Sequence, residues 1–546
     1  MKTKYLFLTA ATAAVALSSC EEMDLTPEGS VATESKKAEV YSNDPDKSFS
    51  AVSGAFMKMK EYMPNYNDIG SAHNDFGYPS IMLFTDCDGE DIASTVTGYN
   101  WFSNNVRFRA HTASSYVTRI IWNDLYSYIF NANTIVSGIS PETEDASLQF
   151  NRAQGLALRA FSYFQLAQLF QFNIVGHETS PCVPLITDEN SDDAAQNGAV
   201  RATVQEVYDQ IYADIDEAIT LLTSAQAAGQ SRSDKRYIDL ATAYGIRARV
   251  NLVAQKWAAA AADATSAIEA SSATPATIAE VSYPTFSSST ENDWMWGIVI
   301  AENDDVVTSG IVCWISHIGS LSYGYSNYTG GMQISPKLYS TISDTDVRKG
   351  WWLNENGESA NLTDDVQNAF AAYAGYTVSQ YYNPYTNVKF GPYNGDVAGD
   401  INSNDVPLMR IEEMYLIKAE GEAMSGADGL STLNTFVQTY RDPEYNYSGS
   451  DIQHEIWRQR RIELWGEGMS WFDIMRLNTG VDRRSAGFAS AYTYVIDYTD
   501  ANLLWPIPES EIESNPAITT ADQNPANGSP SPVTGESTID DEKINI

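Results

Sequence analysis

Hydrophobic residues recur at intervals of three and four along much of the first half of the chain, the spacing of one face of an α-helix. In the segment 151–172 the recurring positions are Leu156, Ala160, Tyr163, Phe164 and Ala167. The segment 203–222 repeats this spacing. Thr203, followed three residues later by Glu206, predicts an N-cap completed by a capping box. Both segments are therefore predicted to be amphipathic helices.

The segment 237–270 predicts a pair of helices rather than one. Three alanines within it lie 12 and 7 residues apart, and they are Ala248, Ala260 and Ala267. This matches the small-residue spacing of a tetratricopeptide (TPR) helix hairpin, in which small side chains let two helices approach closely. Helical spacing returns over 409–424 and 452–467. The fold class predicted is mostly α, a TPR-like helix-hairpin scaffold.

The pattern changes over 282–405, which is rich in Ser, Gly, Asn, Tyr and Trp and has few helical periods. It predicts a loop-rich, irregular region inserted into the helical scaffold, where recognition usually takes place. The predicted organisation is a signal peptide over 1–19, a lipidated tether over 20–47 and one body over 48–546, with TPR-like helices at about 50–280 and 406–480, the ligand region at about 282–405 and an irregular tail at about 519–546.

The first twenty residues have the pattern of an export signal. Lys2 and Lys4 precede an apolar run over 5–17, which is too short to span a bilayer. The run ends in small residues and Cys20, as in a bacterial lipobox, so Cys20 is the predicted lipidation site. An ordinary secretory signal is the alternative. The acidic residues directly after Cys20 resemble a surface-export signal, the alternative being a merely solvated tail.

Charge excludes two classes of partner. The chain has 71 acidic and 33 basic residues, a formal net charge of −38, which repels nucleic-acid phosphates. It equally disfavours polybasic binding to a membrane surface. After residue 20 no apolar stretch approaches the roughly 18 residues of a membrane span. Aromatic residues reach 12%, an excess that indicates exposed rings forming a binding surface.

The sequence predicts no metal site and no catalytic motif. Cys87, Cys182 and Cys313 are far apart, so we expect buried free thiols, although a disulfide between two of them stays open. The five histidines lack metal-ligand spacing, and neither a G-x-S-x-G nor a phosphate-binding loop is present. The segment 86–89 resembles a calcium loop faintly, but its glycine comes too early and the distal glutamate is absent. We therefore interpret it as a turn.

Three blocks near the C-terminus carry a specific resemblance. They are VPLMRIEEMYLIKAE over 406–420, RQRRIELWGEG over 458–468 running into WFDIMR over 471–476, and LWPIPESEI over 504–512 with Asn524-Pro525 downstream. Together with the lipobox they resemble the SusD/RagB family of nutrient-binding outer-membrane lipoproteins. The resemblance extends over nearly the whole chain.

The resemblance implies a binding role at the cell surface. Proteins of this family capture glycan, or in some members peptide, and act with a SusC-like TonB-dependent β-barrel transporter on which they sit as a lid. It therefore implies an outer-membrane, lipid-anchored location, no enzymatic activity and no cofactor. A peptide-binding protein on the same scaffold is one alternative. A secreted glycoside hydrolase is another, motivated by the excess of carboxylates and by the aromatic residues.

The second block permits two interpretations. Its charged residues lie at helix-face spacings and are Arg458, Arg461, Glu463, Glu467, Asp473 and Arg476. A catalytic carboxylate pair is one interpretation. We favour a structural ion-pair network, because neighbouring arginines lower the pKa of an acid, whereas a general acid needs a raised pKa.

A sugar-binding surface needs flat aromatic platforms with amide or carboxylate groups around them. By the family resemblance, Asn100 and Trp101 are placed in the ligand loop. In the inserted region the candidates are Tyr323, Tyr325, Trp296 and Trp314. Apolar neighbours favour core packing for the last two, whereas polar and glycine neighbours leave Trp101 and the two tyrosines equally open to core and ligand roles.

Overall fold

The computed structural model describes residues 34–70, 72–96, 99–525 and 528–533. The predicted signal peptide over 1–19 and Cys20 lie outside these residues. The α-helices of the described residues are α1 (Glu34–Asn43), α2 (Pro45–Lys58), α3 (Tyr78–Asp88), α4 (Ser103–Val106), α5 (Tyr116–Ser137), α6 (Ala146–Phe170), α7 (Ser191–Asn197), α8 (Val204–Ala227), α9 (Leu240–Val253), α10 (Trp257–Ala270), α11 (Asp305–Thr308), α12 (Trp314–Ile318), α13 (Tyr325–Thr329), α14 (Pro336–Ser340), α15 (Asp364–Ala374), α16 (Val378–Tyr381), α17 (Ile411–Met424), α18 (Gly429–Tyr440), α19 (Ile452–Glu463), α20 (Ser470–Leu477) and α21 (Glu509–Ser514).

Strands are short, and the described ones form four two-stranded antiparallel sheets. The strands are β1 (Ile92–Ala93), β2 (Pro181–Pro184), β3 (Arg201–Thr203), β4 (Trp294–Ile298), β5 (Gln333–Ile334), β6 (Val406–Arg410), β7 (Val481–Asp482) and β8 (Val495–Ile496). The pairs are β1 with β5, β2 with β3, β4 with β6 and β7 with β8.

Pairs of long helices form the scaffold. Helix α5 packs on α6, α6 on α8, α9 on α10, α10 on α17, and α17 on α18. Small residues allow these close approaches: a Cβ at Gly421 of α17 would lie 2.6 Å from the carbonyl oxygen of Trp257 at the start of α10. Ala260 and Ala267 of α10 are fully buried. The prediction of a mostly α chain built from helix hairpins is confirmed.

The local helix signals were accurate. Thr203 caps α8: its Oγ1 accepts from the Glu206 amide (3.2 Å), and the Glu206 carboxylate accepts from the Thr203 amide (2.8 Å). The capping box is therefore confirmed. The helix predicted over 151–172 begins earlier, at Ala146, because Asp145 caps it through the Leu148 amide (2.9 Å). The predicted helix pair corresponds to α9 and α10, which three residues separate.

The described part of the predicted tether is helical. Residues 34–43 form α1, and α2 begins at Pro45. Tyr41 of α1 packs against Gly138, just after α5, where a Cβ would lie 2.5 Å from its ring. The aromatic contact orders this segment against the body. None of the helices in the described ranges is both long and apolar enough to cross a membrane.

The pairing of β1 with β5 determines the relative position of two predicted ligand segments. One carries Asn100 and Trp101, and the other carries Tyr323 and Tyr325. Ile92 pairs with Ile334 and Ala93 with Gln333, in antiparallel register. In an antiparallel pair, the residues that follow one strand lie beside those that precede the other. The loop after β1 and the segment before β5 are therefore neighbours, as shown by the hydrogen bond from the Thr95 hydroxyl to the Thr329 carbonyl (3.1 Å).

Candidate ligand-binding site

Trp101 lies in the loop between β1 and α4, where its indole is partly exposed. The ring stacks on the imidazole of His73 with a centroid distance of 5.1 Å and an interplanar angle of 21°. Tyr325, at the start of α13, approaches both rings, with centroids 6.3 Å from Trp101 and 5.8 Å from His73. The two predicted residues Trp101 and Tyr325 are thus brought into contact, and His73 contacts both rings.

Two exposed tyrosines extend this group toward solvent. Tyr99 is 64% exposed and Tyr328 is 54% exposed. Their rings lie 6.0 Å apart, and Tyr99 lies 6.3 Å from Tyr325. The predicted residue Tyr323 is partly exposed, and its hydrogen bond with Tyr328 raises the pKa of the Tyr328 hydroxyl. Tyr325 itself is buried, at 7% exposed, and packs beneath these rings. We refer to Tyr99, Trp101, Tyr323 and Tyr328, with Tyr325 beneath them, as the aromatic surface.

A buried histidine supports the aromatic surface from below. His317 stacks on Tyr325 at 4.8 Å and 16°, and its Nε2 donates to the carbonyl oxygen of His73 at 2.8 Å. Burial lowers the pKa of His317 to about 3, so the ring is neutral. The hydrogen bond fixes the backbone under the Trp101 stack without adding charge to the site.

Asn100 has a different place from the one predicted. Its Oδ1 accepts from the Phe102 amide (2.9 Å), and its Nδ2 donates to the Ser94 hydroxyl (3.1 Å) and to the Thr95 carbonyl. Both ends of the amide are engaged within the loop, and the side chain is buried. Asn100 therefore holds the turn that presents Trp101 and does not offer its amide to a ligand.

The structure corrects the prediction for Trp296 and Trp314, which are 0% and 2% exposed. The ring of Trp296 packs edge-on to Phe161 (5.0 Å), and its Nε1 donates to the Arg236 carbonyl (3.0 Å). Trp314 packs edge-on to Phe390 at 4.7 Å. Both belong to the main hydrophobic core, as their apolar neighbours in the sequence had indicated, and neither forms part of a ligand surface.

Comparison with known proteins identifies the relatives of the chain. A model described as "Starch-binding associating with outer membrane" matches residues 58–252, and a model of the SusD family matches residues 320–526. The two matched ranges together extend over most of the chain. The chain belongs to the SusD family. The resemblance noted in the sequence is thereby confirmed.

Individual relatives agree with this assignment. A SusD-like protein (P38) of Formosa agariphila is 24% identical over 444 residues, which cover 74% of this chain and 80% of the relative. A SusD-like carbohydrate-binding protein from Bacteroides vulgatus has the same fold, with a TM-score of 0.70, 22% identity and coverage of 88% and 98%. Surface glycan-binding protein A from Bacteroides thetaiotaomicron, solved with laminarihexaose, has a TM-score of 0.59 at 15% identity, with coverage of 88% and 99%.

The charged C-terminal block of this SusD-family chain forms a buried ion-pair network. Glu463 Oε1 and Oε2 accept from Arg410 (3.0 Å), Arg441 (2.8 Å) and Arg348 (3.2 Å), all of them fully buried. Burial alone would raise the pKa of Glu463, but the three guanidinium groups outweigh it and hold the pKa well below its usual range. Glu467 behaves alike, with a pKa lowered by Arg410 and a buried lysine.

These ionised acids do not suit a general acid, so the structural interpretation of the block is favoured over the catalytic one. Most partners come from distant parts of the chain rather than from the same helix face. Arg461, for example, pairs with Glu90 (2.7 Å) and Asp91 in the loop after α3. The acidic segment 86–91 is itself buried, and Arg461 pairs with its last two residues.

Some residues of the site had no usable sequence signal. His73 stands alone in a polar segment, and nothing in its neighbours indicates that it stacks on Trp101. Tyr99 and Tyr328 lie beside predicted residues in the sequence. They have the same kind of polar and glycine neighbours that made Tyr323 and Tyr325 candidates, so that signal could have identified them. Cys87, Cys182 and Cys313 are free and buried, as predicted.

Proposed function

We propose that this chain is a cell-surface glycan-binding lipoprotein that captures oligosaccharide or polysaccharide and delivers it to a TonB-dependent outer-membrane transporter. The observation that carries the proposal is the aromatic surface, in which two stretches predicted separately from the sequence meet. Sugar rings have an apolar face that packs on aromatic rings. The Trp101–His73 stack provides one such face, and the exposed rings of Tyr99 and Tyr328 provide others beside it.

The family assignment and the relatives support a glycan rather than another ligand. The matching family description names starch binding and association with the outer membrane, and one structural relative was solved with a laminarin fragment. The formal net charge of −38 disfavours polyanionic polymers by long-range repulsion. The ligand class that best fits the site is therefore a neutral glycan.

Binding is tested by affinity gel electrophoresis against neutral and sulfated polysaccharides, with a peptide panel beside them, and by calorimetry with any ligand found. We expect Trp101→Ala to weaken binding about fivefold or more, because a central aromatic contact typically contributes more than about 1 kcal/mol. Tyr328→Ala is expected to weaken it less. The matched control is Tyr498→Ala, since Tyr498 is 46% exposed and lies outside the aromatic surface.

Two results would contradict the proposed binding. One is a folded protein that binds no glycan in the panel. The other is equal affinity of the Trp101 and Tyr498 variants, which would remove the aromatic surface from the site. Release of reducing sugar from a bound glycan would favour the hydrolase alternative instead, and binding only to peptides would favour the peptide alternative.

Anchoring and delivery need a separate experiment. The lipobox supports lipidation of Cys20, and the family description supports an outer-membrane location. We expect the full-length protein to co-purify with a TonB-dependent barrel from detergent-solubilised outer membranes, and Cys20→Ala to release it from the membrane fraction. Recovery of an uncomplexed lipoprotein from mildly solubilised membranes would argue against a stable transporter pair.

A further inference from the structure

A cavity of about 840 Å³ lies beside α14, the short helix that follows β5 in the chain. Its walls include α14, the turn over 354–358 and the side chain of Tyr385. The residues of the aromatic surface do not line it, so the two sites are separate. Pockets of about 300–1,000 Å³ typically enclose most of a small ligand, and this volume therefore suits a ligand larger than a single side chain.

Two tyrosines form an aromatic wall of this cavity. The rings of Tyr339 and Tyr385 meet at a centroid distance of 5.2 Å and an interplanar angle of 64°. Tyr339 is buried and supports Tyr385, which is partly exposed. The wall therefore presents the ring of Tyr385 to a ligand while its neighbour fixes the position of that ring.

The backbone of Tyr385 is strained in order to hold the ring there. Its φ of +68° lies in the left-handed region, which is unusual for a bulky residue. Its amide donates to the Leu353 carbonyl oxygen, and its own carbonyl oxygen accepts from the Ile334 amide, both at 3.0 Å. Strained residues persist where their surroundings fix them, and they are concentrated at active sites and ligand clamps. The strain is therefore a second indication, independent of the volume, that the cavity has a ligand.

Two ion pairs of the cavity wall carry no net charge. Four acidic side chains and one lysine line the cavity. The lysine, Lys349, pairs with Asp344 at 2.5 Å. Asp346 pairs with the fully buried Arg348 at 2.6 Å. These four residues neutralise one another, so the charge offered to a ligand comes from the other two acids.

Glu355 and Glu358 are those two acids, and neither has an ion-pair partner in the described part of the chain. Both are exposed on the turn over 354–358. The turn is closed by Asn354, whose amide donates to the Glu358 carbonyl oxygen (2.7 Å) and whose Oδ1 accepts from the Glu358 amide (3.0 Å). Burial raises the pKa of Tyr339 to about 12, and the charge of Glu355 adds to this effect. Two uncompensated negative charges thus lie beside the aromatic wall.

We propose that this cavity binds a glycan built from amino sugars whose amino groups are free and protonated. An ammonium group is attracted both to carboxylates and to the face of a tyrosine ring. The hydroxyl groups of Ser340 and Ser359 and the amide of Asn354 line the same cavity and match the hydroxyl groups of a sugar. The proposal goes beyond the proposed function, because it concerns a separate cavity and a cationic sugar.

The first test compares two ligands that differ at the amino group. The purified protein is titrated calorimetrically, at about pH 6, with a glucosamine oligosaccharide (a chitosan fragment) and with the N-acetylated, neutral chitin fragment of the same length. We expect the charged fragment to bind at least tenfold more tightly. This advantage should shrink between about 0.1 M and about 1 M salt, because the Debye length falls from about 10 Å to about 3 Å. Equal affinities, or no binding of the charged fragment, would overturn the proposal.

Variants then separate the cavity from general attraction to an acidic protein. Glu355→Gln combined with Glu358→Gln should weaken binding of the glucosamine fragment about fivefold or more. The matched control is Glu142→Gln with Glu144→Gln, which removes the same charge from the exposed turn between α5 and α6 and should leave the affinity unchanged. Tyr385→Asn removes the ring with a residue that accepts the left-handed backbone, so it should weaken binding in folded protein. Equal effects of the two glutamate pairs would overturn the assignment.

Two competing explanations have distinct outcomes. Trp101→Ala should leave the affinity for the glucosamine fragment unchanged. If that variant abolishes binding while the variant lacking the charges of Glu355 and Glu358 retains it, the amine binds at the aromatic surface and the cavity proposal is wrong. A lysine-rich peptide that binds as tightly as the glucosamine fragment and displaces it would also overturn the assignment to a sugar.

Discussion

Replacing Glu463 by glutamine tests whether the buried ion-pair network stabilises the fold. The substitution keeps the shape of the side chain but removes the anion that Arg348, Arg410 and Arg441 share at 2.8–3.2 Å. All four side chains are fully buried, so the arginines cannot turn to water. Breaking a buried ion pair from one side costs about 3–5 kcal/mol, and we expect a loss of about 4 kcal/mol in the free energy of unfolding.

The assay is reversible urea unfolding followed by tryptophan fluorescence, with the midpoint and the slope fitted separately. The matched control is Glu269→Gln, because Glu269 is an exposed residue near the end of α10. Its effect should stay within about 0.5 kcal/mol. A loss below about 1 kcal/mol for Glu463→Gln, with an unchanged slope, would refute the reasoning.

The pH dependence of the same variant gives an independent check. The folded-state pKa of Glu463 lies below that of the unfolded chain, so its ionised form stabilises the fold. This contribution is present above about pH 4.5 and is lost as the pH falls through the folded pKa. The unmodified protein should therefore lose more stability than Glu463→Gln between about pH 5 and pH 3. Parallel pH profiles would contradict the assignment.

Three further predictions concern the core. Trp314→Ala should cost about 3–5 kcal/mol of stability by opening a cavity, yet leave glycan affinity unchanged in protein that remains folded, as calorimetry can show. Burial raises the pKa of Asp86 to about 8 in the folded protein. In the unfolded chain the same carboxyl group ionises from about pH 4, so a rise in pH above that value favours unfolding. Asp86→Asn, which retains an oxygen for the Gly468 amide, should therefore gain stability relative to the unmodified protein between pH 5 and pH 8 in urea unfolding. In protein with Cys20 replaced by serine, Ellman's reagent should label no thiol before unfolding and three after it, because the other cysteines are buried.

Local sequence signals predicted local structure well. The Thr203 capping box and the presence of a helix pair within 237–270 follow from hydrogen bonds and spacings within a few residues, which a single sequence contains. The pairing of β1 with β5 has no such signal, because both strands are two residues long. The contact between Trp101 and Tyr325 depends on that ladder. The sequence therefore predicted both residues as ligand candidates but could not predict that they are in contact.

The sequence likewise predicted the roles of some side chains and not of others. Apolar neighbours indicated correctly that Trp296 and Trp314 belong to the core, and including them among the ligand residues was wrong. The role of Asn100 could not be read from its type, since an amide serves a turn and a ligand equally well. The partners of Glu463 come from three separate segments, so helix-face spacing predicted a network without identifying its members.

The two-residue ladder between β1 and β5 has a consequence for specificity. It joins the loop after β1 to the short segment that carries α13, while the long helices of the scaffold contribute no ring to the aromatic surface. Lengthening or shortening either segment would change the distance and tilt between the rings, and so, under the proposed function, the linkage geometry of the glycan that the surface accepts. The helical scaffold would keep its fold, so under the proposed function these two segments are where glycan specificity could be changed without rebuilding the protein.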